Sequence, residues 1–235
     1  MGIPKQGPVV AIDGPAGTGK SSVARRLAEL LGFIHVDTGA LYRAIAFLSL
    51  ERISHFPEEK EAEVASNLAR TAHLEFHRIP KLNPANRIFA NGRDVTDFIR
   101  TSQVSMASSR VSAVPDVRSA LLGLQRRLGC KGKSILEGRD IGTVVFPDAD
   151  LKFFLEATAE ERAKRRLSEM EASGVDVPAF EEIKTDIINR DKSDSTRLVA
   201  PLKKAKEAIE IDTSSMTLDQ VVHAMENMVR SRLKL

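Results

Sequence analysis

The sequence predicts an α/β fold: a doubly wound parallel sheet interrupted by one small β insert. Three observations carry that expectation. An apolar run, Val9 to Ile12, stops at Asp13 and gives way to a glycine-rich loop, then to an amphipathic helix. In that helix Val23, Leu27, Leu30 and Leu31 recur at i, i+4, i+7 and i+8. Strand-like and helix-like segments alternate through most of the remaining chain, with no internal repeat. Finally, 235 residues that are 42% hydrophobic and 29% charged suffice for one large α/β unit with a sizeable core. No linker long enough to part independent domains stands out.

Composition excludes several classes. Thirty-five basic residues against 32 acidic ones leave a net charge of +3, too balanced for bulk nucleic-acid binding. One Tyr and no Trp make a poor base-stacking surface. Cys130 is the only cysteine, so there is no intrachain disulfide. No signal-peptide layout and no membrane-length apolar stretch is seen, and Gln6 stands where a myristoylation motif wants Ser or Thr. A cytoplasmic protein is expected.

The first element is a strand ending at Asp13; Gly14 to Ser21 then fits G-x-x-x-x-G-K-[ST], and a helix from Ser21 to Leu31 closes on Gly32. Phe33 to Asp37 reads as a second strand, with Thr38 as N-cap of a helix carrying Tyr42 and Arg43. Residues 58 to 71 form a charged surface helix. Leu74–Arg78 and Arg87–Ala90 are short strands, with Asn91-Gly92 as a type I′ hairpin turn into Arg93-Asp94-Val95. His73 and His77 stand four apart at a strand edge without a third ligand, so no metal site is expected there. Ser102–Ser112 and the stretch from Pro115 through Leu128 are helical. Ser134–Glu137 is a strand ending in Gly138-Arg139-Asp140, where functional groups of a parallel sheet lie. Asp150–Ala157 is another strand. Thr158-Ala159-Glu160-Glu161 is a capping box opening a helix with Arg162, Arg165 and Arg166, and Arg162 and Arg166 share one face. That helix stops at Ser173-Gly174. A further helix starts at Phe180; if it runs on, Arg190, Asp194 and Arg197 align. Ala208–Asp212 is the last strand, and Thr217 caps the last helix.

The glycine loop with its flanking strand and helix is a phosphate cradle: backbone N–H groups converge and the helix N-terminus adds partial positive charge. Lys20 reaches the β- and γ-phosphates of a nucleoside triphosphate, and the Ser21 hydroxyl, chosen over Ser22, takes Mg²⁺. Neither Asp-x-x-Gly after a strand nor Asn-Lys-x-Asp is present, against a GTPase switch. The chain instead supplies many arginines of its own, as a transfer between two phosphorylated ligands requires. Charge-assisted hydrogen bonds contribute roughly 1.5–3 kcal/mol each.

Five stretches in register, Gly14–Lys20, Asp37–Arg43, Asp94-Val95-Thr96 with Ile99-Arg100, Gly138–Pro147 and Arg197–Leu202, give a chain that resembles the bacterial cytidylate kinases from about Val9 to the last helix. The resemblance implies a single kinase unit over 1–235. Residues 37–120 form its acceptor-binding region, with a β insert over about 63–98; 158–197 form a lid and the helix that follows. It implies transfer of the γ-phosphoryl group of MgATP to CMP, and to dCMP. A monomer without nucleic-acid or membrane partners is expected. Gly14, Pro15, Ala16, Gly17, Thr18, Gly19, Lys20, Ser21, Ser22 and Arg165 would hold ATP. Thr38, Tyr42, Arg43, Ser109, Arg118, Arg139, Asp140, Arg190, Asp194 and Arg197 would hold the acceptor. Lys20, Arg139, Arg197, Arg162 and Arg166 would be catalytic. Glu137 stands where many members have Asp, leaving open a Mg²⁺ contact through water or simple packing.

Chemistry agrees with that assignment. Asp140 can accept from the exocyclic amine of cytosine and Arg118 can donate to its carbonyl, whereas uracil would present a carbonyl to the carboxylate. Kinases of UMP, AMP or shikimate, and an ATP-hydrolysing regulator without an acceptor, are the competing readings.

Overall fold

Most deeply placed of the strands is β1 (Val9–Asp13), every residue of which is shielded from solvent. A parallel strand covered on both faces must be apolar throughout, which is why Val9 to Ile12 runs unbroken rather than alternating. The computed structural model describes residues 4–53, 60–79, 81–82, 84–172 and 177–235. The expected helix stop at Ser173-Gly174 and the first residues of the helix expected from 58 lie outside them.

After the glycine loop comes α1 (Lys20–Leu31), ended by Gly32, whose φ of 67° lets its N–H reach Ala28 O. β2 (Ile34–Asp37) follows, then α2 (Thr38–Ile53). Thr38 is the first residue of that helix rather than the cap before it, because strand and helix abut with no intervening turn. α3 (Glu61–Thr71), β3 (Leu74–Arg78), β4 (Asn86–Ala90) and β5 (Arg93–Asp94) come next. The three strands form an antiparallel sheet in the order β3-β4-β5. Asn91 and Gly92 turn between β4 and β5 at φ of 52° and 80°, the paired positive values of a type I′ turn. α4 (Ser102–Ala113) is capped by Thr101, whose Oγ1 accepts from Val104 N–H at 3.3 Å. α5 is Pro115–Gly129.

β6 (Ser134–Gly138) leads into a wide turn over Ile141–Val145, and β7 (Leu151–Glu156), α6 (Ala159–Ala172), α7 (Phe180–Thr196), β8 (Ile209–Asp212) and α8 (Leu218–Leu233) complete the chain. The main sheet is five-stranded and parallel, in the order β2-β6-β1-β7-β8. Its register pairs Asp13 with Gly138, Asp37 with Glu137 and Glu156 with Asp212, so all five carboxyl ends share one edge. α1 and α8 cover one face: Val23, Leu27, Val222, Met225 and Val229 join Val10, Ile12, Phe153 and Leu155 in a buried cluster. Each fully buried apolar side chain of that size stabilises by ~1.5–3 kcal/mol. α6 and α7 pack on each other through Ala163, Ile183 and Ile187.

The expected capping box at α6 and the expected Thr217 cap of α8 turn out differently. At α8 the Thr217 hydroxyl accepts from Gln220 N–H at 3.3 Å, and Gln220 Oε1 accepts from Thr217 N–H at 2.9 Å. At α6 only half forms. Thr158 Oγ1 accepts from Glu161 N–H at 3.2 Å, but Thr158 N–H donates to Ser214 and the Glu161 carboxylate turns to Arg165. The chain gathers into two compact units, 1–37 with 126–235, and 38–125.

Candidate active site

At the end of β1 the backbone turns where only glycine fits. Gly14 has φ of 146°, and a Cβ there would sit 2.1 Å from Leu155 O. Gly17, at φ 79°, is crowded differently: its Cβ would meet Arg162 Cβ at 3.1 Å. The loop enters α1 with no side chain capping the first turn, an arrangement that suits an anion.

Lys20 is buried at 5% exposure; its Nζ donates to Pro15 O and to Thr18 Oγ1 at 3.2 Å. The Thr18 hydroxyl in turn donates to Pro15 O at 3.1 Å. Burial, followed by the Arg139 guanidinium, pushes the Lys20 ammonium well below the usual lysine range, with Glu137 and Asp13 opposing. A lysine in this state gains most from an arriving anion.

Ser21 Oγ donates to Glu137 Oε2 at 2.6 Å, and His35 Nε2 lies 3.1 Å from Glu137 Oε1. The carboxylate left open by the sequence therefore faces Ser21. A hydroxyl and a carboxylate are hard oxygen donors, a set that fits Mg²⁺. Among the described residues no cluster of three or more His, Cys, Asp or Glu could hold a metal ion. His73 and His77 instead pair with Glu75 at 3.1 and 3.3 Å.

The three arginines of α6 are treated unequally. Arg162 is buried: Nε donates to Ala157 O at 2.9 Å, Nη1 to Ala16 O at 3.0 Å, and Nη2 meets Asp191 Oδ2 at 2.6 Å. Arg165 bonds the Glu161 carboxylate at 3.2 Å and Thr213 O at 2.5 Å. Arg166, four residues from Arg162, lies near the surface with Glu169 at 3.6 Å. Sharing a helical face did not give those two the same surroundings, because the missing Cβ of Gly17 admits only the Arg162 stem.

α7 continues to Thr196 with Arg197 as its cap, so Arg190, Asp194 and Arg197 share a helix end. Arg139 Nε donates to Asp194 Oδ2 at 2.9 Å. Arg197 Nη1 lies 3.6 Å from Asp194 Oδ1 and its Nη2 3.6 Å from Asp140 Oδ1. Arg197 Nε donates to Ala200 O at 2.7 Å. Burial works against the Asp194 carboxylate, but Arg139, Arg190 and Arg197 outweigh it and hold its pKa below the usual range.

In the second unit Tyr42 and Arg118 come together. The Arg118 guanidinium lies 5.3 Å over the Tyr42 ring, and Tyr42 OH accepts from Gln125 Nε2 at 3.2 Å. Arg118 Nη1 also donates to Ser112 O at 3.2 Å. Thr38 is buried at the start of α2, Arg43 is half-buried in the next turn, and Ser109 is half-buried on α4.

Sequence reasoning missed Asp13, Asp191 and Arg126. Asp13 Oδ1 accepts from Ile141 N–H at 2.8 Å and Oδ2 from Gly142 N–H at 2.7 Å. Its burial, with Asp140 adding to the effect, raises its pKa to about 6 against two N–H donors and Lys20. A carboxylate closing an apolar strand was the available signal; nothing local marks Arg126 or Asp191.

The family model described as cytidylate kinase matches residues 10–231. A cytidylate kinase of Citrifermentans bemidjiense is 47% identical over 98% of this chain and 96% of its own length. One from Geobacter sulfurreducens is 46% identical over 97% and 95% respectively. A bifunctional pantoate ligase/cytidylate kinase of a Synechococcus strain is 45% identical over 96% of this chain, which spans 45% of that protein.

Proposed function

We propose a function from one premise: the chain belongs to the cytidylate kinase family. It is an ATP-dependent phosphotransferase whose acceptor is CMP, giving CDP and ADP. The observation that carries this reading is that β1 and β6 end side by side, Asp13 against Gly138, so cradle and Arg139–Asp194–Arg197 cluster lie at one sheet edge. One edge then offers cations to two sets of phosphates.

We assign the donor phosphates to the Gly14–Ser22 loop and Lys20, with Arg162 and Arg166 as catalytic arginines and Arg165 supporting ATP. Arg139 and Arg197 grip the acceptor phosphate, Arg190 and Asp194 the sugar, and Asp140 the cytosine amine. From the second unit, Thr38, Tyr42, Arg43, Ser109 and Arg118 are assigned to the acceptor. Residues 37–120 are then the acceptor-binding region and 158–197 the lid with its following helix. Ser21 and Glu137 would hold Mg²⁺, which neutralises phosphate charge when bound. No general base is required, since the attacking phosphate oxygen is already anionic; positioning and charge neutralisation do the chemistry. Lid closure excludes water and suppresses ATP hydrolysis. The same site takes dCMP, whose base and phosphate are identical, and the enzyme acts as a cytoplasmic monomer. Among the described residues no helix is long and apolar enough to cross a membrane.

Initial rates with MgATP against CMP, dCMP, UMP and AMP test this directly. CMP and dCMP are expected to lead. ATPase activity indifferent to CMP, or faster turnover of AMP, would overturn it.

A further inference from the structure

The segment after β6 is held in an unusual way. Residues Ile141–Val145 form a single wide helical turn in which Phe146 N–H donates to Ile141 O at 2.7 Å. Wide turns of this kind carry one residue more than an α-helical turn and recur where a site must be shaped. The two ends of this turn are gripped by opposite charges. At its N-terminal end the Asp13 carboxylate accepts from Ile141 and Gly142 N–H at 2.8 and 2.7 Å. At its C-terminal end Arg126 Nη2 donates to Val144 O at 3.0 Å and Nε to Val145 O at 2.9 Å. An acid at the N–H end and a base at the C=O end match the dipole of the turn. Ile141 and Val145 themselves are buried, at 0% and 2% exposure, so the grip lies on a packed segment.

We propose that Asp13 and Arg126 are positioning residues that clamp the 141–145 turn from its two ends, and so hold Arg139 and Asp140, which immediately precede it, against the phosphate loop. The inference rests on the reading of Arg139 and Asp140 as acceptor ligands. Asp13 is contiguous with Gly14, so one jaw of the clamp is the cradle itself. Arg126 is the other jaw, and the forked N–H pair it lends to successive carbonyls is a geometry lysine cannot reproduce. Neither side chain is assigned to a substrate. Their effect comes through the placement of two that are, where an error near 1 Å costs about 10²-fold in rate.

The test is calorimetric affinity and steady-state KM for CMP and for ATP in Arg126→Ala, Arg126→Lys and Asp13→Asn, beside an Arg139→Ala control. Circular dichroism and thermal melts check folding. Arg126→Ala is expected to weaken CMP about tenfold while ATP stays within about twofold, with Arg126→Lys recovering part of the loss. Asp13→Asn, which turns one acceptor oxygen into a donor facing an N–H, should weaken CMP similarly. The double variant should be little worse than either single change, since both release one turn. Should Arg126→Ala fail to fold, Arg126→Lys and Asp13→Asn carry the same comparison. Unchanged CMP affinity in the Arg126 variants, with Arg139→Ala impaired, overturns the clamp and spares the acceptor reading. Equal weakening of CMP and ATP also overturns it. Full CMP affinity in Arg139→Ala instead overturns the acceptor reading on which it stands.

Discussion

The glycine cradle and the arginine cluster at the end of α7 lie at the same sheet edge and hold their charges by opposite means. In the cradle each charged group is held mainly by neutral partners: Asp13 by two backbone N–H groups, Lys20 by a carbonyl and a hydroxyl. Burial accordingly moves both toward their uncharged forms. In the cluster Asp194 sits between Arg139 and Arg197, and charge pairing drives its carboxyl the other way. The cradle is thus preset by backbone geometry, while the cluster is set by charge balance, which the acceptor phosphate would redistribute under the proposed function. Asp140 and Asp194 hold guanidinium groups in place, and under the proposed function the acceptor dianion would compete for them.

The largest effect should come from Lys20→Ala. Removing a buried ammonium whose charge the fold disfavours is expected to lower kcat by about 10³-fold or more, with the melting temperature within a few degrees of wild type. Turnover at the wild-type level would deny the cradle its role. Next comes Arg139→Ala, which strips the cluster of its closest pair; kcat/KM for CMP should fall by about 10²-fold, with KM for ATP far less affected. Equal losses for both nucleotides would mean the two regions do not divide the ligands between them. Smaller still is Asp140→Asn. It is expected to erode the preference for CMP over UMP by about tenfold, because an amide tolerates a carbonyl that a carboxylate rejects. Unchanged selectivity would remove Asp140 from base reading.

The contrast between the regions also marks what could be read in the sequence. Strand, glycine loop and helix from Val9 to Gly32 were legible because burial, periodicity and loop chemistry all act within 24 consecutive residues. The insert was legible for a similar reason, its hairpin being dictated by Asn91-Gly92. Arg190, Asp194 and Arg197 were visible as an i, i+4, i+7 alignment, and α7 does run far enough to realise it. The wide turn over Ile141–Val145 was not legible. It has no sequence period of its own, and Asp13 lies 128 residues from the N–H that it holds. Periodicity likewise gave α6 a charged face but could not say which guanidinium would be buried. That depends on the absent Cβ of Gly17 in a distant loop. Half the α6 capping box was lost the same way, since Arg165 and Ser214 take the partners that local sequence had reserved.

The smallest expected effect separates the two carboxylates by pH. Burial pushes the Asp13 carboxyl up to about 6 from the 3.8 of an unburied aspartate. Between those values the folded state binds more protons than the unfolded one, so stability falls as pH rises and levels off above the folded value. Acidifying from pH 7 to pH 5 should therefore stabilise wild type relative to Asp13→Asn by about 1 kcal/mol, read as the difference in urea unfolding free energies. Asp194 has the opposite sign, its arginine neighbours holding its folded pKa below the usual aspartate value of 3.8. Its stabilisation is present above the unfolded pKa and is lost as pH falls through the lower folded one, outside the Asp13 window. Hence Asp194→Asn should be destabilised by a near-constant amount between pH 5 and pH 7. A slope for Asp194→Asn in that interval, or none for Asp13→Asn, would erase the distinction between a carboxylate held by backbone and one held by arginine.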